Sequence, residues 1–130
     1  MAILLDSGFI YAIYNKRDVN HETATLILKE IEDNKLGTAY ITDYLFDETL
    51  TLTFTKSDIH NAIRIGRTLI SSYDVIEVSI SLFQEAWGLF QKRKLSFTDC
   101  TSLVVMHHFD IEFLATFDKG FKGLVKTVGV

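Results

Sequence analysis

Short apolar runs alternate with longer amphipathic segments along the whole chain. The first run, Ala2 to Leu5, has no polar interruption, which predicts a strand buried on both faces. The mixed segment from Ser7 to Tyr14 favours a short helix. A second helix is predicted from near Asn20, because apolar residues recur there at i, i+3, i+4 and i+7, namely Ala24, Ile27, Leu28 and Ile31.

The same alternation continues to the end of the chain. Strands are predicted at 38–41, 75–78 and 113–117, with a last short strand within 125–130. Helices are predicted at 44–54, 59–70, 81–94 and from near 99 to 108. The expected helix caps are Thr42 or Asp43, then Ser57-Asp58, then a capping box over Ser81-Leu82-Phe83-Gln84.

Strands separated by helices predict an α/β fold with a central, mainly parallel sheet, because parallel neighbours need long crossovers and helices provide them. Helices would cover both faces, so the expected architecture is a three-layer α/β/α sandwich. The length of 130 residues is typical of one domain, and no proline, repeat or low-complexity tract marks a linker. We therefore expect a single domain over residues 1–130.

Composition and charge narrow the class of protein. Hydrophobic residues make up 48% of the chain, so it can bury a core. The single cysteine excludes an internal disulfide and fits a reducing cytoplasm. No apolar run approaches the ~20 residues of a membrane span, and no basic region precedes the first one, so neither span nor signal peptide is expected. The net charge of −4 means that a polyanionic partner would need a local basic patch or a bound cation.

Four acidic residues fall where a parallel sheet binds its ligands, near the carboxyl ends of its strands. Asp6 follows the first strand, Asp118 follows the fourth, and Asp99 falls at the start of a helix. Glu48 lies about one turn into the helix after the second strand, on its apolar stripe. Inward-facing carboxylates need a partner, and Lys119 beside Asp118 is the one cation at a comparable position.

A divalent metal is the obvious partner for these acids. Oxygen ligands without histidine or cysteine favour a hard cation such as Mg²⁺ or Mn²⁺. Carboxylate clusters of this kind hydrolyse phosphodiesters by holding metal ions that activate a water. Singly, Asp6 or Asp99 would be a helix cap and Asp118 a turn residue. A helix rotated by one residue would exchange Glu48 for Asp47.

The four acids lie in short motifs whose order and spacing are those of a known family. The motifs are Leu5-Asp6-Ser7, Leu45-Phe46-Asp47-Glu48-Thr49-Leu50, Leu95-Ser96-Phe97-Thr98-Asp99, and the T-x-D-x-x-F pattern Thr116-Phe117-Asp118-Lys119-Gly120-Phe121. With them the chain resembles the PIN-domain nucleases, a family that includes the VapC toxins of prokaryotic toxin and antitoxin pairs. The resemblance covers essentially the whole chain. One position departs from the family pattern: the chain has Gly8 where many relatives carry another small or polar residue.

The resemblance implies a Mg²⁺- or Mn²⁺-dependent endoribonuclease that cleaves single-stranded RNA. By that kinship the metal would be held by four residues, Asp6, Glu48, Asp99 and Asp118. Hydroxyl groups would support the site, those of Ser7, Thr98 and Thr116. The resemblance also implies a homodimer in the cytoplasm and an antitoxin protein that covers the site.

Other functions and roles stay open beside this one. The serious alternative is a catalytically silent PIN fold that binds RNA or protein. A phosphoacceptor receiver domain would need an acid pair after the first strand, and a dinucleotide fold would need G-x-G-x-x-G, both of which the chain lacks. RNA contacts are possible for two basic groups, Lys92-Arg93-Lys94 and Lys119, Lys122 and Lys126. Core or dimer contacts are expected of Phe83, Trp87 and Phe90.

Overall fold

Five strands form one fully parallel sheet in the computed structural model, which describes residues 1–130. The strands are β1 (Ala2–Leu5), β2 (Thr38–Thr42), β3 (Asp74–Ile76), β4 (Phe113–Ala115) and β5 (Lys126–Val128). Their order across the sheet is β3-β2-β1-β4-β5. The apolar strand β1 is therefore central and pairs in parallel with both β2 and β4, which explains why it tolerates no polar residue.

Six helices and one 3₁₀ turn connect the strands. They are α1 (Ser7–Tyr14), α2 (His21–Glu32), α3 (Asp43–Lys56), α4 (Ile59–Ser72), α5 (Ile80–Phe90), α6 (Phe97–His108) and the turn Lys119–Phe121. None of these helices combines the length and the apolar character that crossing a bilayer requires.

The core consists of two apolar layers, one on each face of the sheet. Ile3 and Leu5 of β1 point to one side, where they join buried residues of α1, α2 and α4. Leu4 points to the other side, where it packs with buried residues of α5 and α6. Leu45 of α3 joins this second layer, whereas Phe46 and Leu50 of the same helix contact the first. The three-layer α/β/α prediction is confirmed.

Side-chain caps fix where most helices begin. Both predicted ends of the fifth helix differ from the structure. Asp58 caps α4 as expected, and Thr42 rather than Asp43 caps α3. The capping box predicted at Ser81 is wrong, because Ser79 is the residue whose hydroxyl accepts from Leu82 N. The fifth helix consequently begins at Ile80, and it ends at Phe90 rather than at residue 94.

The strand ends also differ from the prediction. The third strand is Asp74–Ile76 rather than 75–78. The fourth ends at Ala115 rather than at residue 117, because the Thr116 hydroxyl accepts a hydrogen bond from Asp118 N and turns the chain. Asp118 therefore lies three residues beyond the end of β4.

The aromatic side chains of α5 are not core residues, so that part of their prediction is wrong. Trp87 is 54% exposed, and Phe83 and Phe90 are 39% and 38% exposed. Phe83 and Phe90 both pair with Phe97, with ring centroids 5.2 Å and 6.0 Å apart, and Trp87 stacks on Phe90 at 6.0 Å. The dimer interpretation of these residues stays a prediction.

Thr42→Ala should destabilise the fold by about 1 kcal/mol, the usual cost of losing a helix N-cap. The Thr42 side chain is fully buried, and its hydroxyl accepts from Leu45 N at 2.9 Å, where β2 passes into α3. Urea unfolding followed by circular dichroism measures the change. Thr25→Ala is the control, because the exposed Thr25 hydroxyl bonds only to the carbonyl one turn earlier in α2, and it should change stability by less than about 0.5 kcal/mol. Equal losses in the two variants would contradict this role for the cap.

Candidate active site

Asp6 is a buried carboxylate at the end of the central strand. Its side chain is 7% exposed and caps α1, with Oδ1 accepting from Ser7 N at 3.0 Å. The other oxygen, Oδ2, accepts the hydroxyl of Thr116 at 2.7 Å. The backbone of Asp6 donates to Ala115 O at 3.0 Å, so main chain and side chain are both tied to the β4 end. The position of this carboxylate is therefore set by the sheet itself.

Thr116 connects two of the predicted acids. Its fully buried hydroxyl donates to Asp6 and accepts from Asp118 N at 3.0 Å. Asp118 Oδ1 in turn accepts from Gly120 N at 2.8 Å, which caps the 3₁₀ turn. The buried Thr116 hydroxyl is thus satisfied both as a donor and as an acceptor, as buried polar groups require. One hydroxyl thus places Asp6 and Asp118 at the same edge of the sheet.

Glu48 comes to that edge from α3. It is half-buried, and its Oε1 accepts the hydroxyl of Ser7, the residue after Asp6. Asp47, its neighbour, is exposed on the other side of the helix. The helix therefore has the rotation that the sequence interpretation assumed when it chose Glu48 over Asp47.

Asp99 reaches the same edge as the third residue of α6, rather than as the first. Its backbone N donates to the hydroxyl of Ser96, the helix cap, at 3.0 Å. The predicted supporting residue Thr98 does not line the cleft, and its carbonyl accepts from Thr101 Oγ1 at 2.6 Å. Ser96 takes its place, and the S-x-x-D spacing of Ser96 and Asp99 is the sequence signal that would have identified it.

The four acids line one open cleft of about 340 Å³. Glycine at position 8 leaves space at the rim, since a Cβ there would meet nothing within 4 Å. Phe117 forms one wall, and its ring lies 6.0 Å from that of the buried Phe9. The lining residues are Asp6, Ser7, Gly8, Glu48, Ser96, Asp99, Phe117 and Asp118.

The carboxylates of this cleft destabilise one another's ionised forms. Burial raises the pKa of Asp6 to about 6, and the charges of Asp99 and Glu48 add to that effect while the Thr116 hydrogen bond opposes it. Burial likewise raises the pKa of Asp99, with the charges of Asp118 and Glu48 contributing. The two ion pairs of the chain, His108 with Glu85 and Lys126 with Glu112, lie elsewhere. No basic side chain forms an ion pair with the carboxylates of the cleft.

The donor set fits a hydrated divalent cation. All four predicted ligands offer carboxylate oxygens, the donors that Mg²⁺ and Mn²⁺ prefer. No three acidic, histidine or cysteine side chains converge closely enough to ligate one ion directly. Mg²⁺ commonly keeps several waters and uses one or two carboxylates directly, so a spread cluster of acids suits it better than a closed cage would. The cleft thus has both the charge and the chemistry for such an ion.

Other titratable residues of the chain do not line the cleft. His107 and His108 are exposed at the end of α6, and His108 Nε2 lies 2.6 Å from Glu85 Oε2. Cys100 is fully buried, and burial raises the pKa of its thiol, which suits a core residue rather than a nucleophile. Lys119 is exposed and forms no ion pair with Asp118.

Metal-free Asp6→Asn should be more stable than the wild-type protein at pH 8, by up to about 3 kcal/mol. A pKa raised from 3.8 to about 6 means that the folded state holds the Asp6 proton more tightly than the unfolded state does. Stability therefore falls as pH rises from about 4 to above 6, and a neutral amide removes that loss.

Urea unfolding in EDTA at pH 4, 6 and 8 measures this effect. The advantage of Asp6→Asn should shrink as the pH falls towards 4. Asp47→Asn makes the same chemical change at an exposed position of α3 and should stay within about 0.5 kcal/mol of wild type at every pH. An advantage that does not depend on pH would contradict a charge penalty at Asp6.

Comparisons with known proteins agree on one fold for the chain. The model of the PIN-domain family matches residues 3–126. A VapC ribonuclease of Archaeoglobus fulgidus is 27% identical over 133 aligned positions, which cover 99% of this chain and 83% of that protein.

Two solved structures are similar to the chain along nearly its whole length. The crystal structure of Mycobacterium tuberculosis VapC20, a sarcin–ricin loop cleaving toxin, superposes with a TM-score of 0.81 at 25% identity and covers 94% of both chains. A chain of Rickettsia felis VapBC2, solved bound to a promoter DNA fragment, superposes with a TM-score of 0.69 at 15% identity and covers 98% of this chain and 97% of its own. The second likeness concerns the fold alone.

Proposed function

Because this chain belongs to the PIN-domain family, we propose that it is a divalent-metal-dependent endoribonuclease that cleaves single-stranded RNA. The observation that carries the proposal is the meeting of four carboxylates from separate segments in one cleft without a compensating basic side chain. The similarity to a VapC ribonuclease and to a toxin that cleaves the sarcin–ricin loop supports RNA as the substrate.

Asp6, Glu48, Asp99 and Asp118 would hold the metal. A bound Mg²⁺ or Mn²⁺ supplies an activated water and charge stabilisation for the leaving oxygen of a phosphodiester. The chain's own part is to hold its ligands in place. Ser7 orients Glu48, and Thr116 orients Asp6, through the hydroxyl hydrogen bonds described above. Such supporting bonds restrict the carboxylates before the substrate arrives.

The biological role that we propose is that of a toxin restrained by an antitoxin. Its support is the similarity to a VapC ribonuclease and to the toxin VapC20. We further propose a homodimer, since α5 presents Phe83, Trp87 and Phe90 together on its exposed face. Exposed aromatic side chains of this kind are enriched where protein surfaces meet.

Cleavage of a mixed single-stranded RNA library by the purified protein tests the enzymatic proposal. Wild-type protein should cut RNA with Mn²⁺ and lose the activity in EDTA. Asp6→Asn should lower the rate by at least about 100-fold, because the buried ligand at the sheet edge loses its charge. Asp47→Asn should keep wild-type activity, since its side chain is exposed beside Glu48 and away from the cleft.

Two results would contradict the proposal. Equal activity in wild type and Asp6→Asn would assign the cleavage to a contaminating nuclease. The absence of cleavage at high protein concentration with several RNAs would favour the catalytically silent binding module.

Thermal melting tests the metal site separately from turnover. A cation that binds only the folded protein stabilises it by mass action, by about 2.7 kcal/mol at a concentration 100 times its Kd. Mg²⁺ or Mn²⁺ should therefore raise the Tm of wild type and of Asp47→Asn, and should raise that of Asp99→Asn far less. An equal rise in all three proteins would place the bound cation outside this cleft.

A further inference from the structure

A second pocket, which is polar, lies further along α1 and α3, two of the helices that contribute residues to the acidic cleft. It has a volume of about 320 Å³ and is lined chiefly by hydrophilic side chains of α1, α3 and α4 and of the segments that follow α1 and α3. Its cations are Arg17, Lys56 and Arg64, and its aromatic residues are Tyr11 and Tyr14. We call these five residues the basic pocket.

The basic pocket carries a net positive charge in a chain whose overall charge is −4. None of its three cations forms an ion pair, because both ion pairs of the chain lie elsewhere. The helices α1 and α4 contain no acidic residue, nor does α3 after Glu48. Asp58, beside the pocket in sequence, uses Oδ1 to cap α4 at Asn61 N, 2.8 Å away. The cations are therefore free for an external anion.

Contacts among the lining residues arrange the pocket in advance. Lys56 Nζ lies 5.3 Å from the centre of the Tyr11 ring, a cation–π contact. The Tyr11 hydroxyl accepts from Asn15 Nδ2 at 2.9 Å. Arg64 Nη2 donates to Asn61 Oδ1 at 3.3 Å, which holds the guanidinium towards the pocket. Half-buried tyrosine rings among free cations suit a ligand that has both negative charge and flat rings.

The basic pocket and the acidic cleft lie along the same pair of helices, α1 and α3. Ser7 and Glu48 meet at the cleft, and Tyr11 and Lys56 meet in the pocket, so α1 and α3 run side by side from one to the other. At about 1.5 Å per helical residue, Lys56 lies about 12 Å further along α3 than Glu48. A single strand that leaves the cleft along these two helices would therefore reach the pocket within a few nucleotides.

We propose that the basic pocket binds the backbone of the RNA substrate a few nucleotides from the bond that is cut. The inference rests on the proposed function for its substrate class. Arg17, Lys56 and Arg64 contact phosphates, and the Tyr11 ring offers a surface on which a base can stack. RNA fits the pocket better than an acidic peptide does, because it alone supplies phosphates and flat rings at a regular spacing.

Binding without cleavage tests this assignment separately from the nuclease proposal. Fluorescein-labelled single-stranded RNAs of increasing length are titrated with Asp6→Asn protein in EDTA, and fluorescence anisotropy gives Kd at several salt concentrations. In that background, Lys56→Gln with Arg64→Gln should weaken binding of the longer RNAs roughly tenfold. The slope of log Kd against log salt should fall by about 1.4, at roughly 0.7 for each cation lost on a single strand.

Lys29→Gln with Lys35→Gln removes the same charge from exposed positions on and just after α2, and serves as the matched control. All four side chains are exposed, and unchanged thermal melting confirms that the variants fold.

The outcomes separate the two proposals. Weaker binding specific to the Lys56, Arg64 variant supports the basic pocket even if wild-type protein cleaves no RNA. An equal loss of RNA affinity in the Lys29, Lys35 control variant would show that binding depends only on the overall charge of the protein. That result would overturn the assignment. Unchanged RNA binding would also overturn it while leaving the nuclease intact, and a polyglutamate peptide whose binding then depends on Lys56 and Arg64 would identify an acidic protein partner instead.

Discussion

The hydrogen bond between Thr116 and Asp6 is the interaction on which the arrangement of the cleft depends. It joins residues 110 positions apart in the chain, at the ends of neighbouring central strands. Both groups are buried, so the bond forms in a medium where a lost partner is costly. Because the same hydroxyl also accepts a hydrogen bond from Asp118 N, one threonine positions two carboxylates.

The arrangement of the cleft is electrostatically unfavourable, because it places acidic side chains close together and buries one of them. Asp6 is held where burial and neighbouring acids raise its pKa to about 6, which is unfavourable for a protein that needs only stability. Strained or frustrated groups of this kind are characteristic of functional sites. A divalent cation bound in the cleft would convert the repulsion among the acids into attraction and would so stabilise the proposed metal site.

Charges of opposite sign are separated along α1 and α3. Asp6, which caps α1, and Glu48 of α3 line the cleft, whereas Lys56 lies about two turns further along α3 and shares the basic pocket with Arg17 and Arg64. A net charge of −4 conceals this separation. In the proposed ribonuclease the acidic end would hold the metal, and the basic end would attract the phosphate backbone directly.

Sequence patterns predicted the elements well and their ends less well. The uninterrupted run of β1 and the stripe of α2 follow from burial on two faces and on one face, which the chain encodes locally. Caps were harder to predict, because Ser79 and Ser81 are equally good cap residues and the length of the preceding strand decides between them.

The sequence by itself determined the α/β class, the order of the elements and the four acids at the carboxyl edge of the sheet. These features depend on local periodicity and on the rule that parallel strands end at one edge. Only the tertiary structure decided which hydroxyl supports which carboxylate, and that Arg17, Lys56 and Arg64 share a pocket. Such contacts join residues far apart in the chain, and their geometry depends on how the helices pack against the sheet.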